Sequence, residues 1–125
     1  MTPLVAVVDD DISVRESLES LIRSVGMAVK LFVSAEELVN SADPCAADCF
    51  ILDVCLPGMS GIELNRFLIE SGCKSPVIFI TAHACDDRSK ADASTDSTIA
   101  YLIKPFGEDE LIDAVEAALK WKPAA

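Results

Sequence analysis

Four short apolar runs in this chain each end in a side chain able to do polar chemistry. Leu4–Val8 leads into Asp9 and Asp10, Cys49–Leu52 into Asp53, Val77–Ile80 into Thr81, and Ala100–Ile103 into Lys104 and Pro105. Three carboxylates, one hydroxyl and one ammonium brought together would suit a divalent cation and a phosphoryl group. Carboxylate oxygens are hard ligands, the kind that Mg2+ takes alongside waters and phosphate oxygens. Crowded carboxylates raise each other's pKa unless a cation offsets them. Asp11 falls one step later, at a helix start, where an acid caps free N–H groups. The Lys104–Pro105 bond is a place where a cis peptide is cheap, and that geometry would aim the ammonium back across the site. Ala82 beside Thr81 is small enough to leave room for a ligand.

These residues can meet only if the four runs are strands of one sheet. Their near-continuous apolar character suits a parallel sheet covered on both faces. Ligands of such sheets bind beyond the carboxyl ends of the strands, at a topological switch point. Helical patterns fall between the runs. Val14, Leu18, Leu21, Ile22 and Val25 recur at helical spacing, with Gly26 as a stop. Ala28–Phe32 reads as a further strand. Ser34 with Glu37, and Ser60 with Glu63, read as capping boxes opening two more helices. A last helix covers about Glu108–Trp121, with Leu111, Ile112, Val115, Ala118 and Leu119 on its apolar stripe. The fivefold βα alternation and right-handed crossovers predict an α/β fold: a doubly wound five-stranded parallel sheet of flavodoxin-like order 2-1-3-4-5. One segment departs from the pattern. Residues 84–98 stand where a fourth helix is expected, yet Cys85–Ser97 holds no large apolar residue to anchor one. That segment is expected to be short, displaced or mobile.

At 125 residues, 51% hydrophobic and 25% charged, the chain is expected to be one folded domain spanning 1–125. A net charge of -11 argues against holding nucleic acid through its phosphates. No apolar run approaches the roughly 20 residues that span a bilayer. The N-terminus lacks the pattern of a signal peptide, so a cytoplasmic location is expected. Of the five cysteines, Cys45 and Cys49 are spaced CxxxC, but one histidine in the whole chain makes a zinc site a poor reading. Small buried or half-buried thiols in a reducing compartment are expected instead.

The runs Val7-Val8-Asp9-Asp10-Asp11, Ile51-Leu52-Asp53-Val54-Cys55-Leu56-Pro57-Gly58-Met59-Ser60-Gly61, Ile80-Thr81-Ala82 and Tyr101-Leu102-Ile103-Lys104-Pro105-Phe106 together resemble the receiver domain of bacterial two-component response regulators. The likeness covers Val5 to Leu119, and Thr81-Ala82-His83 resembles the FixJ-type branch most. The resemblance implies that Asp53 accepts a phosphoryl group from a phosphohistidine on a sensor histidine kinase or phosphotransfer protein. Asp10 would hold Mg2+ (or Mn2+) directly, with Asp9 assisting through water and the main-chain carbonyl of Cys55 as a further ligand. Lys104 would pair with phosphoryl oxygens, Thr81 would hydrogen-bond the arriving group, and Tyr101 would change rotamer with it. Cys55 and His83 stand where the family tunes dephosphorylation. The family signals to an output domain or partner protein through a face built from the fourth helix, the fifth strand and the fifth helix. Here Ser97-Thr98 replaces the expected Gly-Ala before the fifth strand, so the output half of the pattern is unusual.

Three other readings are weighed against this one. An aspartate-nucleophile phosphatase would want a general acid two residues after Asp53, where Cys55 stands. A flavin or nucleotide module would want a glycine-rich loop after the first strand, where three aspartates stand. A scaffold that binds partners without phosphorylation would not need the full acceptor set. No helix-turn-helix pattern occurs, so DNA binding is not expected of this chain.

Overall fold

Successive side chains of a strand point to opposite faces of its sheet. In this chain both sets are apolar, so the sheet needs a cover on each side. The computed structural model describes residues 2–82, 98–104 and 106–121 and has that architecture. Its elements run β1 (Leu4–Val8), α1 (Ile12–Ser24), β2 (Ala28–Phe32), α2 (Ala35–Val39), β3 (Cys49–Asp53), α3 (Gly61–Glu70), β4 (Val77–Ala82), β5 (Thr98–Lys104) and α4 (Glu108–Lys120). All strand pairs are parallel, in the order β2-β1-β3-β4-β5. The expected sheet and strand order are therefore what the chain forms. Residues 83–97, with His83, Cys85 and all of the segment 84–98 expected to be atypical except Thr98, which opens β5, lie outside the described residues, as does Pro105 with the geometry of its peptide bond.

Ala6, Val8, Phe50, Leu52, Val77 and Phe79 pack on one face against Leu38 of α2 and Leu64 and Leu68 of α3. Val5, Val7, Ile51, Ile78 and Ile80 pack on the other against Leu18 and Ile22 of α1 and Leu111 and Val115 of α4. Burial of a Leu or Ile side chain contributes about 1.5–3 kcal/mol. The two layers thus fix β1, β3 and β4, the strands whose ends carry acids and the threonine, more firmly than the edge strand β2, which alternates exposed and half-buried residues up to buried Phe32.

Local signals resolve as physical chemistry requires, with four corrections. Gly26 and Gly72 close α1 and α3 with φ near +87°, a conformation side chains resist. Val25 is not on the apolar stripe: it is the C-cap of α1 and 41% exposed. At α2, Ser34 caps Glu37 as expected, but the Glu37 carboxylate accepts the Val33 N–H instead of closing a reciprocal box. At α3 the box of Ser60 and Glu63 is complete. α4 ends at Lys120, with Trp121 outside it as C-cap. Among the described residues, the expectation of unpaired cysteines holds only for buried Cys49. Cys45 and Cys73 are disulfide-bonded across a Cα–Cα distance of 5.2 Å, and Cys55 is disulfide-bonded as well. Sequence spacing alone cannot reveal such a pair: Cys45 lies before β3 and Cys73 before β4, and only the parallel pairing of those strands makes them neighbours.

Candidate functional site

β1 and β3 are adjacent, and Val8 pairs with Leu52, so Asp9 and Asp53 leave the sheet side by side. Asp53 pairs with Ile80, which sets Thr81 one residue further along β4. Ala82 pairs with Lys104 on β5. The register alone therefore delivers all four chemical groups to one sheet edge.

Lys104 then reaches inward. Its Nζ donates to Asp9 Oδ2 at 2.9 Å and to Asp53 Oδ2 at 3.2 Å. The other carboxylate oxygens take main-chain donors: Asp9 Oδ1 accepts the Asp11 N–H and Asp53 Oδ1 accepts the Cys55 N–H. Asp9 and Asp53 are buried while Asp10 is exposed, and one oxygen from each of the three lies within 4.8 Å of the others. Asp11 stays out of this cluster; it caps α1 by accepting the Ser13 N–H.

Burial pushes the Asp9 carboxyl above its ordinary value, against the Asp11 N–H and the Lys104 ammonium, with the charge of Asp53 adding to the rise. Burial alone would lower the Lys104 ammonium, but its hydrogen bond to Asp9 and the charge of Asp53 outweigh that and hold it above its ordinary value. Three carboxylates facing one ammonium leave an excess of negative charge in a half-buried hollow. The donors are all oxygen, and one acid is open to solvent. That set fits a hard divalent cation which keeps part of its water shell; it lacks the nitrogen and sulfur ligands of zinc.

Thr81 is buried, with Oγ1 3.7 Å from the sulfur of Cys55. That sulfur is disulfide-bonded and carries no proton, so the hydroxyl is the donor. Tyr101 pairs with Phe79 in register and is half-buried, its ring tilted against that of Phe79 at a centroid distance of 6.4 Å.

Three supporting residues were not foreseen. Arg15 Nη1 donates to the main-chain oxygen of Asp9 at 2.7 Å, though on sequence it belongs to the polar face of α1. Gly61 packs directly on the main chain of Asp53: a Cβ there would overlap the Asp53 carbonyl oxygen and stand 3.1 Å from Val54 Cα. A glycine at the first position of a helix has no capping reason to be there, and that was its available signal. Glu36 of α2 accepts the Met59 N–H at 2.9 Å, across the loop that follows Asp53. Nothing in the sequence connects those two.

The family model described as "Response regulator receiver domain" matches residues 5–116. The chain belongs to this family. Receivers are domains of two-component response regulators, and this one has curated relatives. It is 42% identical over 120 residues to Response regulator protein TmoT of Ectopseudomonas mendocina, covering 96% of this chain and 54% of the relative. It is 44% identical over 115 residues to Nodulation protein W of Bradyrhizobium diazoefficiens, covering 92% and 50%. The receiver thus spans about half the length of the curated relatives it matches. Its likeness to FixJ extends to structure: the FixJ-N crystal structure superposes with a TM-score of 0.84 at 32% identity, over 100% of this chain and 99% of that one. Among the described residues, no helix is long and apolar enough to cross a membrane.

Proposed function

We propose that this receiver takes a phosphoryl group onto Asp53 from the phosphohistidine of a sensor histidine kinase or phosphotransfer protein. The observation that carries this reading is the ammonium of Lys104 lying between Asp9 and Asp53, with Asp10 in the same cluster. A carboxylate oxygen of Asp53 bonds to phosphorus as the P–N bond breaks, and the departing imidazole keeps that electron pair. Lys104 sits on Asp53 Oδ2 through the longer of its two bonds, so it can transfer to a phosphoryl oxygen while keeping Asp9. The Cys55 N–H holds Oδ1 and fixes the carboxylate plane. Asp9, Asp10, Asp53 and the main-chain carbonyl of Cys55 would hold Mg2+ (or Mn2+). The bound cation supplies positive charge that offsets the charge spread over the phosphoryl oxygens. Thr81 then exchanges its weak contact with sulfur for a strong acceptor, and Tyr101, two residues before the β5 partner of Thr81, Ile103, follows. Such exchange biases a pre-existing equilibrium of the β5 and α4 face toward an output domain or partner protein. A receiver facing a kinase phosphohistidine fits the cytoplasm; the disulfides of Cys45–Cys73 and Cys55 do not support that location, since thiol pools there would reduce them.

The test is incubation with Mg2+ and a small phosphodonor, followed by intact mass of wild type and Asp53→Asn. One phosphoryl adduct on wild type and none on Asp53→Asn is the expected result. No adduct on wild type with Mg2+ bound would favour a scaffold that works without phosphorylation. Many donor equivalents turned over on foreign substrates would favour a phosphatase.

A further inference from the structure

The loop Val54–Ser60 joins the proposed acceptor to α3, and both of its ends are tied to the sheet. At its start the Val54 N–H donates to the Ile80 carbonyl and the Cys55 N–H to Asp53 Oδ1. At its end the Gly61 N–H donates to the Val54 carbonyl, and Gly61 is pressed against the Asp53 main chain. Cys55 is held a second time through its disulfide, and beyond it Pro57 and Gly58 are exposed. A hydrogen bond from outside the loop reaches the far end of this stretch: Glu36 Oε2 accepts the Met59 N–H at 2.9 Å. Gly58 leaves the space that the carboxylate fills, since a Cβ there would stand 2.8 Å from the same oxygen. Gly58 also has φ near +72°, so the loop turns sharply beneath Glu36. Glu36 is itself anchored: Ala35 and Leu38 of α2 are buried, and Ser34 caps the helix.

We propose that Glu36 is a positioning residue which pins the loop at Met59, beyond the ties of Cys55 itself, and so helps to fix the Cys55 carbonyl expected to complete the divalent-cation site. The inference rests on the phosphoacceptor reading. Its reason is entropic. A ligand carried on an unpinned loop must be ordered at each binding event, and groups that hold ligands in place commonly change metal affinity 10–100-fold. Glu36 acts through one exposed main-chain bond, so its effect belongs at or below the low end of that range. The Met59 N–H holds the Glu36 carboxyl below its ordinary value, so the acceptor stays ionised at neutral pH.

The test is calorimetric titration of Mg2+ into wild type, Glu36→Ala and Glu36→Gln, with amide exchange of residues 54–60 and small-donor phosphorylation on each. Glu36→Gln keeps an oxygen acceptor for Met59. For Glu36→Ala the expected results are Mg2+ affinity roughly 3–10-fold weaker, faster exchange at Met59, and an unchanged phosphorylation rate at saturating Mg2+. Glu36→Gln is expected to behave as wild type. Equal Mg2+ affinity in wild type and Glu36→Ala, with wild type still taking its phosphoryl adduct, would overturn the role of Glu36 alone. Equal losses in Glu36→Ala and Glu36→Gln would also overturn it, since charge and not the hydrogen bond would then act. A wild type that neither binds Mg2+ nor takes an adduct would remove both this inference and the reading beneath it.

Discussion

Lys104 should matter most to this protein when no cation is bound. Its ammonium satisfies the Oδ2 atoms of Asp9 and Asp53, two carboxylates that are 0% and 5% exposed. Lys104→Met keeps the stem and removes both bonds. Breaking a buried ion pair from one side costs about 3–5 kcal/mol, because the remaining charge loses its partner. Here the lysine side chain is 22% exposed, so water can replace part of what is lost. A loss of about 2–3 kcal/mol is therefore expected without divalent cation, or roughly 10 °C in Tm for a chain of this size. Millimolar Mg2+ offers the same oxygens a new partner, and a ligand that binds only the native state stabilises by mass action. The variant should consequently gain more from Mg2+ than wild type does, and the gap in Tm should narrow by half or more. Thermal unfolding of both proteins with EDTA and with Mg2+ measures this directly. A gap that is the same in both buffers would mean that cation and ammonium do not share the carboxylates.

Three further outcomes follow from particular contacts. Gly61→Ala puts a Cβ into the Asp53 main chain, which cannot yield as a side-chain tip would; overpacking of this kind costs about 1–3 kcal/mol, and both the urea midpoint and Mg2+ affinity should fall, whereas an unchanged midpoint would mean that the loop relaxes freely. Burial pushes the Cys49 thiol from 9.0 up to about 12, so the native state resists ionisation that the unfolded chain undergoes. Its contribution is intact below pH 9 and is lost as pH rises toward 12, at about 1.4 kcal/mol per unit, so wild type should lose stability faster than Cys49→Ala from pH 9 to 11; parallel curves would refute the burial argument. The Cys45–Cys73 bridge has a sequence separation of 28 residues, which in the chain-entropy picture is worth about 3–4 kcal/mol. Cys73→Ser should lower stability by that order in oxidising buffer and by much less in reducing buffer, as urea unfolding would reveal.

What the sequence displays and what it hides divide along a physical line. The strand ends were legible because apolar runs stop abruptly at Asp9, Asp53, Thr81 and Lys104, and a parallel sheet leaves one edge for such ends to share. The cap at Ser60 was legible because capping chemistry is local, decided within three residues. The misreadings share the opposite property. Val25 looked helical by period, but a period does not say which turn is last. Glu37 reached Val33 and not Ser34, a choice between adjacent donors that spacing does not distinguish. Cys45 met Cys73, Arg15 met the Asp9 carbonyl and Glu36 met Met59 only because two elements distant in sequence were packed together. The acids and the ammonium can thus be read from the sequence, since their chemistry is carried by residue type at strand ends. Their precision cannot be read in the same way. It resides in main-chain contacts such as Gly61 on Asp53 and Glu36 on Met59, where the partner contributes a peptide group that every residue has. A chain with the same acids and lysine but without those contacts would present the same motif and hold its ligands more loosely, so motif content alone should predict the reaction better than it predicts cation affinity.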